Sequence, residues 1–385
     1  ITEHEKERAA TNIGDFISFW YEAEADRQTF LYIRNGEQLY RLQTGIDFAA
    51  GFLQGLPTLF TYPDRWLAAQ TLGLKALRDP RVRDRLLASP EGQRATRAFP
   101  NISLGGGGAE FYEAAGQRSL VPRLLARTPI IGPPTLGALR RGQAAFDIFG
   151  DAIRIFAANA LEASVSRAEA AGRVGVRQAV GDYINHMSGV TPRAAQGVSP
   201  TQRAIERSLA FAPSYTASAF ALTGDVLAGG IPRQEALKNL SSMLLVGSML
   251  YDRAAQAMGQ KPILNPADSR FMTVEVGGQR VGIGSVWVSL ARTIGQVAAH
   301  PERALAADFD NPFVKFWRNR ASTTAGAALD LIAGETVVGQ PINNLVDATR
   351  TQGERLLPFT VGGAIEGLQR GGPAGAATQT AAGLV

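Results

Sequence analysis

A chain of 385 residues with 45% apolar and 19% charged side chains is long enough to bury a sizeable core and too apolar to be a disordered solvating tail. It has no Cys, which excludes a disulfide scaffold, a Cys-held zinc or iron–sulfur centre and a cysteine nucleophile. The formal charge is +5, and of the 39 basic residues five are Lys, which leaves 34 Arg; that bias suits phosphate and carboxylate partners and also accompanies GC-rich genomes.

At roughly 100 to 200 residues per domain the length suggests two or three units, and the 42 Gly and 20 Pro imply frequently interrupted helices. The chain opens at Ile1 with a charged stretch, Glu3, Glu5, Lys6, Glu7 and Arg8, and no apolar signal core, so a processed product or a piece of a longer chain is expected. Over 2–27, Ile13, Phe16, Ile17, Trp20 and Tyr21 recur at spacings of three and four and predict an amphipathic helix with an aromatic face for core packing. Glu22, Glu24 and Asp26 at its end read as a solvated acidic face. Asn35-Gly36 between two β-prone runs predicts a hairpin over about 29–43, since both turn positions need positive φ.

Short Arg-studded helices follow around 46–56, 64–77, 81–87 and 90–97, several opening on Asp, Ser or Pro in capping positions. The glycines 105–108 and the Thr128-Pro-Ile-Ile-Gly-Pro-Pro run cannot continue a helix. The Pro-poor, Ala-rich stretch over 136–186 predicts one or two long helices with Phe146, Ile148, Phe149, Ile153 and Phe156 at helical spacing. Arg140, Arg141, Arg154, Arg167, Arg173 and Arg177 stud it, as a solvated face or a row beside a polyanion. Further helices are expected over 201–211, 214–227, 232–258 and 286–299. A second hairpin is expected over 271–284 about Gly277-Gly278, then one amphipathic helix over 312–332, and a tail that buries little. The division expected is a helical unit with a hairpin over 1–99, a Gly/Pro-rich linker or excursion over 100–134, a helical body with the second hairpin over 135–370, and a low-complexity tail over 371–385. The fold class is mainly α, an elongated multi-helix assembly with two small β-hairpins.

Chemistry-bearing patterns are few. His4, His186 and His300 are too widely spaced in sequence for a paired-His metal motif, and His186, near Asp182 and Tyr183, reads as a hydrogen-bonded structural imidazole. No Walker loop occurs, and Asn101-Ile-Ser103-Leu-Gly105 narrowly misses a nucleophile elbow and lacks its preceding strand. Asp308-Phe-Asp310-Asn311 lacks the further acidic ligands of a calcium loop and reads as a cap before Pro312. No cofactor or metal site is expected, and no catalytic residue. Lys315, Phe316, Trp317, Arg318 and Arg320 interleave cations with aromatics, a composition that fits nucleic-acid stacking, a membrane interface or an ordinary amphipathic helix. Together with Arg140 and Arg141 they form the candidate contact set for nucleic acid or membrane.

Several segments occur in a characteristic order: Arg34-Asn-Gly-Glu-Gln-Leu-Tyr-Arg-Leu, Asp182-Tyr-Ile-Asn, Ser208-Leu-Ala-Phe-Ala-Pro-Ser-Tyr-Thr-Ala-Ser, Asn265-Pro-Ala-Asp-Ser-Arg-Phe, Val274-Glu-Val-Gly-Gly-Gln-Arg and Ala327-Ala-Leu-Asp-Leu-Ile-Ala-Gly-Glu-Thr-Val-Val-Gly-Gln-Pro-Ile. In this order the chain resembles the C-terminal portion of large polyvalent proteins of tailed bacteriophages and mobile elements. The resemblance runs from about Thr29 to Ile342 and implies a non-enzymatic, virion-associated internal or ejection-type protein. Its implied partners are portal, tail or internal proteins and other copies of itself, with possible contact to DNA and transient membrane association; its implied place is the virion, from which it is delivered to the host cell. The alternative function is a nucleic-acid-binding module that protects incoming mobile DNA in the host.

Overall fold

The computed structural model describes residues 55, 57–104, 132–191, 197–199, 202, 206, 209–210, 213–276, 279–282, 286–306, 308–321 and 323–334. The helix expected over 2–27, the hairpin over 29–43, most of the helix over 46–56, the glycines 105–108 and the tail after 370 lie outside the described residues. Those that are described are 75% helical, which makes the fold mainly α.

Helix α1 (Pro63–Arg78) starts where the sequence places a start signal: Pro63 costs no backbone bond at the first turn, Asp64 meets the positive end of the helix dipole, and Lys75 and Arg78 meet its negative end. Its inward residues Trp66, Ala69, Gly73 and Ala76 follow the spacing of one helical face. That face lies along α4 (Gly132–Ala170), a 39-residue rod of about 58 Å. Gly73 permits the contact, because a Cβ there would sit 3.0 Å from the Ala145 carbonyl oxygen. Trp66 meets Phe149 edge to face at 6.4 Å.

Between them α2 (Val82–Ala88) and α3 (Pro90–Ala98) form a tight elbow. Ser89 caps α3 by accepting from the Gly92 N–H at 3.1 Å, with Pro90 at the first helical position. The 136–186 stretch resolves into two helices, α4 and α5 (Val176–Met187), because Gly172 and Gly175 take φ of 82° and 75°, a left-handed conformation that ends one helix before the next begins. Helices α6 (Pro213–Ala228) and α7 (Gly230–Ala257) pack against α5 and against each other. The expected second hairpin forms as β1 (Thr273–Val276) and β2 (Gln279–Gly282), antiparallel with Thr273 opposite Gly282 and Val276 opposite Gln279. Then come α8 (Val286–Ala299), a 3-10 turn at Pro301–Leu305, α9 (Pro312–Arg318) and α10 (Thr323–Ala333).

The single helix expected over 312–332 is two, because the chain bends after Arg318 and Ala321 pairs as an isolated bridge with Ala210. The bend lets Arg318 reach back to Asp330 twelve residues on.

One hydrophobic core runs from Trp66 through the middle of α4 to Phe316, so helices before and after residues 105–131 share it. A second, smaller core gathers Tyr251 and Ala255 of α7 with Phe271, Met272 and Val274. A buried ion network crosses the first: Asp151 accepts from Arg83 Nε at 3.0 Å and from Arg154 Nη2 at 2.9 Å, and Arg154 Nη1 donates to Ser188 Oγ at 3.2 Å. Arg154, expected on a solvated face, is only 2% exposed. Arg83 also lies 3.7 Å from Asp147, so two carboxylates, Asp147 and Asp151, face the two guanidiniums in this network.

Candidate functional site

Of the candidate set at 315–320, Lys315 to Arg318 lie on α9 and Arg320 follows its end. Asp308 accepts the Asp310 and Asn311 N–H groups at 2.9 and 3.1 Å, and Asn311 caps the helix by accepting from the Phe313 N–H at 2.8 Å. The acidic cluster before Pro312 is therefore a cap, as its spacing suggested. It also positions Asp310 for Lys315, whose Nζ donates to Asp310 Oδ1 at 2.7 Å and holds that carboxyl below its ordinary pKa, first through the hydrogen bond and then through charge.

The cations of the set are engaged within the molecule. Arg318, 8% exposed, donates from Nη2 to Asp330 Oδ1 at 3.0 Å and lies 5.2 Å from the centre of the Phe309 ring. Arg320 sits over the Phe316 ring at 5.0 Å, and burial pulls its pKa below the usual arginine value. Phe316 is buried in the main core. The expectation of an amphipathic helix with inward aromatics therefore holds for Phe316 alone, since Phe313 and Trp317 are 49 and 51% exposed. Arg141 is exposed on α4, and Arg140 stands one residue before it on the same helix.

The residue that sequence reasoning missed is Phe220 on α6. It stacks on Trp317 at 6.5 Å with ring planes 29° apart and meets Phe316 edge to face at 5.9 Å, while remaining 45% exposed. Phe220, Phe313 and Trp317 thus mark a half-exposed aromatic surface on the outer side of α6 and α9. Nothing local to Phe220 signals this, because its partner lies 97 positions away.

Elsewhere the polar groups tie helices together. His186 Nδ1 is 2.8 Å from Asp225 Oδ2, so its partner is on α6 and not the neighbouring Asp182. Asp182 instead accepts from Asn101 at 2.9 Å. The Ser103 N–H donates to Asn185 Oδ1 at 2.8 Å, and no hydrogen bond joins the Ser103 hydroxyl to an imidazole among the described residues. Tyr62 Oη donates to Glu235 Oε2 at 2.6 Å and accepts from Lys238 Nζ at 2.7 Å, linking α7 to the residue that precedes α1. Among the described residues no group of three or more acidic or His side chains is placed to hold a metal ion. An open concavity of about 590 Å³ is lined by Arg94, Arg97, Ala98, Glu162 and Arg177. Arg177 Nε donates to Glu169 at 2.9 Å and its Nη1 to the Ala98 carbonyl at 2.8 Å.

No protein-family model matches the chain, and neither a curated protein nor a solved structure was found to be similar to it.

Proposed function

We propose that the chain is a non-enzymatic, virion-associated internal or ejection-type protein of a tailed bacteriophage. It assembles with further copies of itself and with portal, tail or internal proteins, and accompanies the genome into the host cell. The order of its sequence segments supports this reading, and the structural observation that carries it is the aromatic surface at Phe220, Phe313 and Trp317. There the rings stay half exposed while the cations beside them are engaged, Arg318 against Asp330 and Lys315 against Asp310. A surface that holds phosphates needs cations available to exchange counterions. Exposed rings with internally neutralised charges suit an apolar protein partner, or the interface of a membrane touched in transit. No described helix is long and apolar enough to cross a membrane.

The alternative, a module that shields incoming mobile DNA, draws its support from another place, the concavity bordered by Arg94, Arg97 and Arg177. The two readings part in one experiment. Particles are purified from cells producing the wild type or the Phe220→Ala/Trp317→Ala variant, and the chain's content in them is measured. The assembly reading expects the variant to keep its fold and lose about tenfold or more of its incorporation, the scale of losing an aromatic anchor. Incorporation equal to wild type would remove this surface from assembly. A chain absent from particles, with DNA affinity falling steeply with salt, would favour the alternative.

A further inference from the structure

Helix α7 reaches both cores, as α8 does, and its inward side shifts along its length. Ala236 and Met243 face the main core, whereas Tyr251 and Ala255 face the hairpin core. In the two turns between, Leu244, Leu245, Val246, Met249 and Leu250 are 45, 66, 37, 67 and 56% exposed. A helix that is apolar on every side is ordinarily buried. Those exposed fractions amount to roughly 500 Å² spread around the helix, and Leu245 and Met249, about 40° apart, share one side and supply about half of it.

The stripe through Leu245 is self-complementary. Lys238, Leu245 and Asp252 stand seven residues apart, so they drift only about 20° per step around the helix and share one face. When a second α7 runs antiparallel and crosses at Leu245, position 238 of each copy meets position 252 of the other, an ammonium against a carboxylate at both ends. Ser241 then meets the partner's Met249, small against large. Lys238 gives one N–H to Tyr62 and Asp252 accepts one bond from Gln256. An ammonium has three N–H donors and a carboxylate about four acceptor positions, so both can take the second bond. Leu245 and Met249 of two copies together supply about 500 Å² of apolar surface, the size of a weak, reversible pairing in which the end ion pairs fix the register.

We propose that two copies of this chain pair isologously and antiparallel through the middle of α7, with Leu245 on the two-fold axis and reciprocal Lys238–Asp252 ion pairs at either end. This deepens the assembly reading by naming one partner and its register. It does not depend on a viral particle: a dimer from a chain never found in particles leaves the pairing intact and sinks the virion reading, and a monomer packaged in particles does the reverse.

The test is sedimentation equilibrium of the full chain over a concentration series, with circular dichroism to confirm that each variant folds. The wild type is expected to dimerise. Leu245→Glu, which sets two carboxylates against each other on the axis, is expected to weaken association about a hundredfold or more. Lys238→Asp and Asp252→Lys each turn both end pairs repulsive and are expected to weaken it about tenfold. The double variant K238D/D252K restores both pairs and is expected to return within about threefold of wild type. The two positions lie about 21 Å apart along one helix, so rescue between them acts across copies. Because the chain has no Cys, Leu245→Cys introduces the only thiol, and mild oxidation is expected to give a covalent dimer. A wild type that stays monomeric, a dimer indifferent to Leu245→Glu, a double variant no better than the singles, or no crosslink at position 245 overturns the proposal.

Discussion

Arg318 donates from both Nε and Nη2 into Oδ1 of Asp330, at 3.2 and 3.0 Å, with Asp330 wholly shielded from solvent and Arg318 nearly so. This pair links the end of α9 to α10 across the bend where one continuous helix was expected. Removing one partner leaves the other charge buried. Arg318→Met is expected to lower unfolding stability by about 3–5 kcal/mol, and Arg318→Met/Asp330→Leu to recover much of that loss, because two packed apolar side chains replace two desolvated charges. Urea unfolding of the single and double variants measures both.

The elbow between α2 and α3 leaves no room for a methyl group at Gly92. A Cβ there would lie 2.8 Å from the Leu87 carbonyl oxygen and closer still to that of Leu86, both backbone atoms that cannot rotate away. Gly92→Ala is therefore expected to destabilise by about 1–3 kcal/mol, although Ala is the better helix former by intrinsic propensity. A thermal melt that rises on this substitution would contradict the packing described.

Alkaline pH should weaken the fold. Burial raises the phenol pKa of Tyr183 and Tyr215, so the folded state holds those protons more tightly than the unfolded chain, whose phenols titrate near 10. Their contribution is whole below pH 10 and is lost as pH rises past it, by up to about 1.4 kcal/mol per pH unit for each phenol. Unfolding free energy measured from pH 8 to 11 should fall at the upper end. Tyr183→Phe should flatten that fall and cost about 1–3 kcal/mol at neutral pH, since Asn239 Nδ2, which donates to Tyr183 Oη in the wild type, loses that partner.

On the acid side, Asp310 is held below its ordinary pKa of 3.8, chiefly by its bond from Lys315, and Glu169 is held below its own by Arg177. Both carboxylates favour the folded state above the unfolded pKa, and the contribution disappears as pH falls through the folded values. Carboxyl NMR titration should show Asp310 moving up towards 3.8 in Lys315→Ala, with Glu169 unchanged. An Asp310 that titrates identically in both proteins would refute the pairing.

Local order was legible in the sequence wherever one residue type does one job. Pro63 and Asp64, Ser89 and Pro90, and the cap at Asp308 to Asn311 mark helix starts that the structure has, and Gly277-Gly278 stands between the paired strands of the hairpin. Pairings across the chain were not legible. Periodicity places Arg154 on a helix but does not say that Arg83 and Asp151 surround it, so a buried ion network reads as a solvated arginine face. The candidate site divides the same way. Its aromatic and basic composition was visible at 313–320, yet Phe220, Asp330 and the Ala210–Ala321 bridge decide which of those side chains remain outside, and all three act over distance in sequence.

The central claim is that this chain is built into a phage particle. Quantitative mass spectrometry of purified particles, with peptides spanning the chain and copy number referred to a capsid protein, tests it most directly. The account predicts peptides from α1 to α10 at a fixed number of copies per particle. Particles without those peptides, while infected or donor cells contain the protein, would contradict it.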